Sequence, residues 1–253
     1  MTTLRSAMFN VYFFVLTFVL GLGGVVLRLF APQHALALAQ LWARLVLAGL
    51  ARICHVTLRL EGAATLPRAG PALIASQHQS AYDTLVWLTL LPRPAYVMKQ
   101  ELTRIPLFGP LTVRAGMIVV DRAGGATALR DLIRRTRRAV AEGRQMVIFP
   151  EGTRTAPGQR VALQPGIAAM AAATGLPVFP VLTNSGQHWG RRAFRKRPGV
   201  IRVSIQSPIP AGLPRTELMR RLQDVFHGDA AAVVDNPVGG ASVGLRSSAK
   251  LAS

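Results

Sequence analysis

Hydrophobic and polar positions divide the chain into two regimes. From Ser6 to Leu27 there is no charged residue, and Phe9, Val11, Phe13, Phe14, Leu16, Phe18 and Leu20 fill a stretch as long as the roughly 20 apolar residues that cross a bilayer. A second apolar stretch, Ala35 to Val56, is interrupted by Arg44 and Arg52 and repeats Leu38, Leu41, Trp42 and Leu45 at helical spacing. The pattern predicts two helices. The first spans a membrane or dips into it, and the second lies against lipid or covers the core of the domain beyond it. A cleaved signal peptide is the competing reading of the first segment. The length of the run and the position of the Ala-x-Ala steps, inside the next apolar stretch at Ala35 to Ala39, weigh against it.

Beyond Val56 the pattern shortens. Val56–Glu61 and Val200–Gln206 alternate as strands, and short apolar runs at Ala72–Ala75, Tyr96–Met98, Met117–Val120, Gln145–Phe149 and Pro177–Val181 read as buried strands. Between them, helices are predicted over Ala81–Leu91, capped by Ser80 and stopped by Pro92 and Pro94, and over Ile167–Thr174, ended by Gly175. Another runs over Thr127–Glu142 with Leu129, Leu132, Ile133 and Val140 inward, and Thr216–Phe226 closes the domain. The expected organisation is membrane-associated helices over 1–56, one catalytic domain over 57–228 and a flexible tail, rich in Ala, Gly and Ser, over 229–253.

Charge changes this picture. Thirty basic residues against eleven acidic leave +19 on a chain that is 50% hydrophobic. A basic protein with long apolar segments points to a membrane surface. Nucleic acid is set aside as a partner, because no zinc spacing, aromatic RNA-binding motif or heptad array accompanies the charge. The densest basic stretch, Trp189 to Arg202, holds Arg191, Arg192, Arg195, Lys196, Arg197 and Arg202 with no acid. It suits anionic headgroups, an acidic acyl-carrier partner or plain solvent. The single Cys54 excludes an internal disulfide and reads as a small buried hydrophobe.

Candidate chemistry centres on His78 and Asp83. An imidazole exchanges protons near neutral pH, and a carboxylate beside it fixes the tautomer and stabilises the imidazolium, which makes a general base. Residues five apart on an unbroken helix point about 140° from one another, so His78 meets Asp83 only by preceding the helix and folding back. Two further loops leave predicted strand ends: Asp121-Arg122, where Arg122 is suited to clamp phosphate, and Pro150-Glu-Gly-Thr-Arg154, where Glu151, Gly152, Thr153 and Arg154 are suited to a polyol phosphate.

In order, these blocks resemble the glycerolipid acyltransferase family, in particular its bacterial 1-acyl-sn-glycerol-3-phosphate acyltransferases. His78-x4-Asp83 resembles the first block, Lys99-Gln-Glu-Leu with Ile105-Pro-Leu-Phe-Gly the connecting block and Gly116 to Arg122 the second. Phe149-Pro-Glu-Gly-Thr-Arg154 resembles the third and Leu176-Pro-Val-Phe-Pro-Val181 the fourth; Gln77 stands where the family often has Asn. The resemblance implies an α/β fold, a central mixed β-sheet flanked by helices, held by the N-terminal helical pair at the inner (cytoplasmic) membrane with the catalytic domain on the cytoplasmic side. It implies His78 as base on the sn-2 hydroxyl of lysophosphatidate and Asp83 as its orienting partner. Arg122, with Lys99, would contact the phosphate, and Glu151, Gly152, Thr153 and Arg154 would shape the acceptor site. No cofactor or metal is expected. Acyl-CoA or acyl-acyl carrier protein is the expected co-substrate, with membrane lipids as further partners. A different lyso-lipid acceptor, such as a lyso-ornithine lipid, and a non-catalytic basic membrane scaffold are the alternatives.

Overall fold

In the computed structural model of the chain, residues 1–106, 109–121, 124–228, Ala231 and Val234 are described. Arg122, part of the Ile105–Pro110 loop and nearly all of the expected tail therefore lie outside the described residues.

The short apolar runs form a seven-stranded sheet. Strands β1 (Val56–Glu61), β2 (Ala72–Ser76), β3 (Pro94–Lys99), β4 (Ile118–Val120), β5 (Gln145–Ile148), β6 (Val178–Thr183) and β7 (Gly199–Ile205) stand in the order β1-β7-β6-β2-β5-β3-β4. Neighbours are parallel except β6 and β7, so the sheet is mixed. The three inner strands β2, β5 and β6 are buried along their whole length, which is why they read as continuous apolar runs rather than alternating ones. Their residues still alternate between faces. Ile74, Val147, Phe179 and Val181 join one core cluster; Leu73, Ala75, Met146, Ile148 and Val178 join the other.

Strand β6 holds Pro180 inside the sheet. The Pro180 carbonyl accepts the Gln206 N–H on the side away from β2, so the missing proline N–H falls on that side too, where pairing with β7 begins only at Val181. The loss of one donor there leaves the β2 ladder intact.

Helices α1 (Thr2–Phe30) and α2 (Ala35–Cys54) form a hairpin joined by a 3₁₀ turn, Pro32–His34. The Tyr12 hydroxyl donates to the Leu45 carbonyl at 2.8 Å, Trp42 Nε1 donates to Thr17 Oγ1 at 3.0 Å, and Phe13 lies against Trp42. Ala43, Val46, Leu50 and Cys54 turn α2 towards the sheet and share a core cluster with Ile74, Val147 and Phe179. The stripe expected to face either lipid or core is thereby divided: Leu41 and Leu45 are exposed, while Trp42 packs on α1. On α1 the side chains of Val11, Phe14, Phe18, Leu22 and Val26 are also exposed. Both helical segments are long and apolar enough to cross a membrane.

The same face carries α3 (Tyr82–Leu90) and the short α4 (Gly109–Arg114). The opposite face carries α5 (Gly125–Ala141), α6 (Gly166–Thr174) and α8 (Arg215–His227), with α7 (Ser185–His188) between β6 and β7. Leu129, expected inward on α5, is 44% exposed. The buried stripe is Leu132, Thr136 and Ala139, two of which are too small or polar to register as hydrophobic anchors; the Thr136 hydroxyl is satisfied by the Leu132 carbonyl. Gly175 ends α6 in the left-handed region at φ 65, a conformation glycine adopts without steric cost.

Candidate active site

The site is built where β2, β3, β5 and β6 end. Leaving β2, the chain first meets Gln77, which is buried: its Oε1 accepts the Thr183 N–H at 3.0 Å and its Nε2 donates to the Phe226 carbonyl at 3.1 Å. Gln77 thus ties β2, β6 and α8 together immediately before His78. An Asn side chain is one methylene shorter.

His78 precedes α3 and folds back onto it. Its Nδ1 lies 3.2 Å from Asp83 Oδ2. A carboxylate there accepts the Nδ1 proton, and in that tautomer of the neutral ring the lone pair falls on Nε2. Asp83 is fixed in turn: the same Oδ2 accepts the backbone N–H groups of Gln79 and Ser80, each at 2.7 Å. The side chain is 2% exposed and stands in the first turn of α3, where the helix dipole favours a negative charge. Its Oδ1 is buried without a hydrogen bond. Ser80 is not the cap expected: α3 begins at Tyr82 with Ala81 at the N-cap and no side-chain cap bond, although the Ser80 hydroxyl one residue earlier accepts the Tyr82 N–H at 3.1 Å.

The loop after β5 grips His78 from the other side. Glu151 accepts the His78 backbone N–H through Oε2 and the Thr155 hydroxyl through Oε1, and the Thr155 N–H donates to the His78 carbonyl at 2.8 Å. Glu151 is buried and faces a smaller cavity of about 180 Å³ behind the histidine. Phe149 stacks on the imidazole, ring centroids 4.2 Å apart, and Tyr96 lies parallel beyond it at 6.3 Å. Burial pushes the Tyr96 phenol well above its ordinary pKa, and the neutral hydroxyl donates to the Thr84 carbonyl.

His78 opens into a cavity of about 420 Å³. Tyr96, Val97, Met98, Leu102 and Phe149 make its apolar wall; Gly152, Thr153 and the cations Lys99, Arg154, Arg191 and Arg192 line the rest. Burial pulls the Arg154 guanidinium below its ordinary pKa, nearby Asp83 opposes that shift and Arg191 adds to it. Of the residues singled out in the sequence, the structure brings His78, Asp83, Lys99, Gly152, Thr153 and Arg154 together. It turns Glu151 to the back of the histidine, and Arg122 is not among the described residues.

Two contributions were not assigned to the site from the sequence. Phe149 as the plate under His78 had a local signal, its place at the end of a strand beside the Glu151 loop. Arg191 and Arg192 had only the signal of the basic stretch, whose members the fold separates. Lys196, expected to face headgroups or a partner, is 3% exposed. Arg202 is three-quarters buried on β7, 3.9 Å from Glu61. Among the described residues no group of three or more His, Cys, Asp or Glu has the arrangement of a metal site.

The model of the family described as Acyltransferase matches residues 57–184, half of the chain. The chain belongs to the acyltransferase family. The matched segment begins in β1 and ends just past β6, so it contains the His78–Asp83 pair and the Glu151 loop but neither α1 nor α2. Among relatives, the chain is 32% identical over 166 residues to a protein of Pseudomonas aeruginosa named 1-acyl-sn-glycerol-3-phosphate acyltransferase, covering 66% of this chain and 64% of that one. A Cocos nucifera acyltransferase of the same name is 30% identical over 158 residues, 62% of this chain and 51% of that one. The chain therefore aligns with less than two thirds of the length of either relative. The crystal structure of the 1-acyl-sn-glycerophosphate (LPA) acyltransferase from Thermotoga maritima superposes with a TM-score of 0.74 at 23% identity, covering 96% of this chain and all of that one. That likeness extends the shared fold of the family beyond the matched segment to nearly the whole chain, the N-terminal helices included.

Proposed function

We propose that the protein is a membrane-attached O-acyltransferase that moves a fatty acyl group from an acyl thioester to the sn-2 hydroxyl of 1-acylglycerol-3-phosphate, giving phosphatidate and a free thiol. The observation that carries the reading is the His78–Asp83 pair opening into a cationic cavity with an apolar wall, in a chain whose relatives bear this activity in their names. His78 Nε2 takes the proton of the acceptor hydroxyl as the oxygen attacks the thioester carbonyl. The tetrahedral intermediate collapses with loss of thiolate, and the imidazolium returns the proton to sulfur. Asp83 holds the tautomer and stabilises the imidazolium in between. Transfer is direct, with no acyl-enzyme.

Arg154, a half-buried cation that feels the charge of Asp83, binds the acceptor phosphate together with Lys99 and, by family resemblance, Arg122. Glu151 acts through the His78 backbone, while Gly152 and Thr153 line the cavity directly. The exposed apolar faces of α1 and α2 attach the protein to the inner membrane, with the site on the cytoplasmic side, so the amphiphilic acceptor enters from the bilayer. Acyl-CoA or acyl-acyl carrier protein supplies the thioester.

The test is product mass spectrometry on the purified protein in mixed micelles with lysophosphatidate, a lyso-aminolipid and both donors. Phosphatidate from the wild type and a loss of rate of about a thousandfold or more in His78→Ala, with lipid binding retained, are expected. A clear preference for the lyso-aminolipid, or an unaffected His78→Ala variant, defeats the proposal.

A further inference from the structure

The cavity at His78 carries more positive charge than one phosphate ester requires. Lys99, Arg154, Arg191 and Arg192 line it, and among its described lining residues there is no carboxylate. A phosphomonoester carries about two negative charges at most near neutral pH. The four cations also differ in depth. Arg154 is partly buried and feels the charge of Asp83, whereas Lys99, at the end of β3, and Arg191 and Arg192, side by side on the loop after α7, are exposed.

The loop that bears Arg191 and Arg192 is held in shape. Lys196, a few residues on, is buried: its backbone N–H donates to Ser6 Oγ at 2.9 Å, and its ammonium donates to Asn10 Oδ1 and to the Phe194 carbonyl. The ammonium lies over the rings of Trp189 at 5.3 Å and Phe9 at 5.6 Å. Helix α1 thereby fixes the loop from below. Arg192 itself sits at φ 56, in the left-handed region, where a residue with a Cβ pays about 1 kcal/mol and stays only if its surroundings hold it.

Reach divides these cations between two anions. In the acceptor about four bonds separate the attacking oxygen from phosphorus, roughly 5 Å, which keeps that phosphate close to the catalytic pair, where Arg154 feels the charge of Asp83. In a phosphopantetheine thioester about thirteen bonds separate sulfur from phosphorus, roughly 15 Å at full stretch and less when bent. The donor phosphate therefore lies towards the cavity mouth when the thioester meets the hydroxyl at His78. We propose that Arg191 and Arg192 form a separate anion subsite for the phosphopantetheine phosphate of the acyl donor, whether coenzyme A or an acyl carrier protein carries it. This rests on the acyl-transfer reading above.

A donor series tests it. With the full chain in detergent micelles and lysophosphatidate as acceptor, the double variant Arg191→Ala/Arg192→Ala is expected to raise KM for acyl-CoA and acyl-phosphopantetheine about tenfold or more. KM for S-acyl-pantetheine, which lacks the phosphate, and KM for lysophosphatidate stay within about twofold of wild type, while Arg154→Ala raises the latter. Acyl-acyl carrier protein run alongside shows from which carrier the phosphate is taken. Arg192→Gly keeps the left-handed backbone and removes the charge, so it shares the donor defect if charge is the cause. An equal loss with S-acyl-pantetheine, or a rise in KM for lysophosphatidate alone, overturns the assignment. Calorimetry with coenzyme A reads the subsite without turnover: binding by wild type that the double variant loses supports it even if no acyl group is transferred, which would refute only the acyl-transfer reading. Absence of coenzyme A and acyl carrier protein binding to wild type refutes the subsite.

Discussion

At the scale of single residues, three donors converge on one oxygen, Asp83 Oδ2, and set both the tautomer and the direction of the His78 ring. Asp83→Asn keeps the size of the side chain but offers a neutral oxygen or an N–H₂ group. An amide oxygen on the two backbone donors no longer stabilises an imidazolium, and an amide N–H₂ there opposes the donors outright. We expect initial rates to fall by about a thousandfold to ten-thousandfold with an unchanged circular dichroism spectrum. A fall of less than about tenfold would show that the carboxylate only buttresses the loop. Glu151 belongs to the same scale: it is buried and accepts the His78 backbone N–H.

At the scale of elements, the hairpin of α1 and α2 depends on close approach. A Cβ built on Gly49 would stand 2.2 Å from the Tyr12 ring, whose hydroxyl is anchored on the Leu45 carbonyl. The ring cannot swing away without breaking that bond, so Gly49→Val is expected to separate the helices and lower stability by about 1–3 kcal/mol, read as a drop in Tm in detergent. Combining it with Tyr12→Ala should recover part of that loss. Additive losses in the double variant would show that the two residues do not share the contact.

At the scale of the whole molecule, the N-terminal helices are part of the core. Val46, Leu50 and Cys54 of α2 sit fully buried in one cluster with strand residues Ile74, Val147 and Phe179, and Phe9 of α1 joins them. Burying one such side chain contributes roughly 1.5–3 kcal/mol, and a domain is stable by only about 5–15 kcal/mol. A chain cut to begin at Val56 is therefore expected to lose the near-ultraviolet signal of packed aromatics, bind a hydrophobic dye and aggregate on gel filtration. A soluble monomer with intact near-ultraviolet bands would show that the helices are an appendage after all.

The range of the forces involved decides which features could be read along the chain. Strand runs such as Ile74 and Val147, the glycine stop at Gly175, the long uncharged stretch of α1 and the fold-back of His78 onto Asp83 rest on local periodicity or on neighbours within a few residues, so the sequence by itself determined them. Tertiary structure decided which stripe of α2 faces inward, because Ala43 and Gly49 allow an approach that hydropathy alone does not reveal. It separated Lys196, buried among Phe9 and Trp189 from far along the chain, from Arg191 and Arg192 at the cavity mouth, although all three stand in one basic run. And it turned Glu151 onto the backbone of a residue 73 positions away. Charge and hydrophobicity are properties of a residue; burial and partnership are properties of the place to which the whole fold carries it.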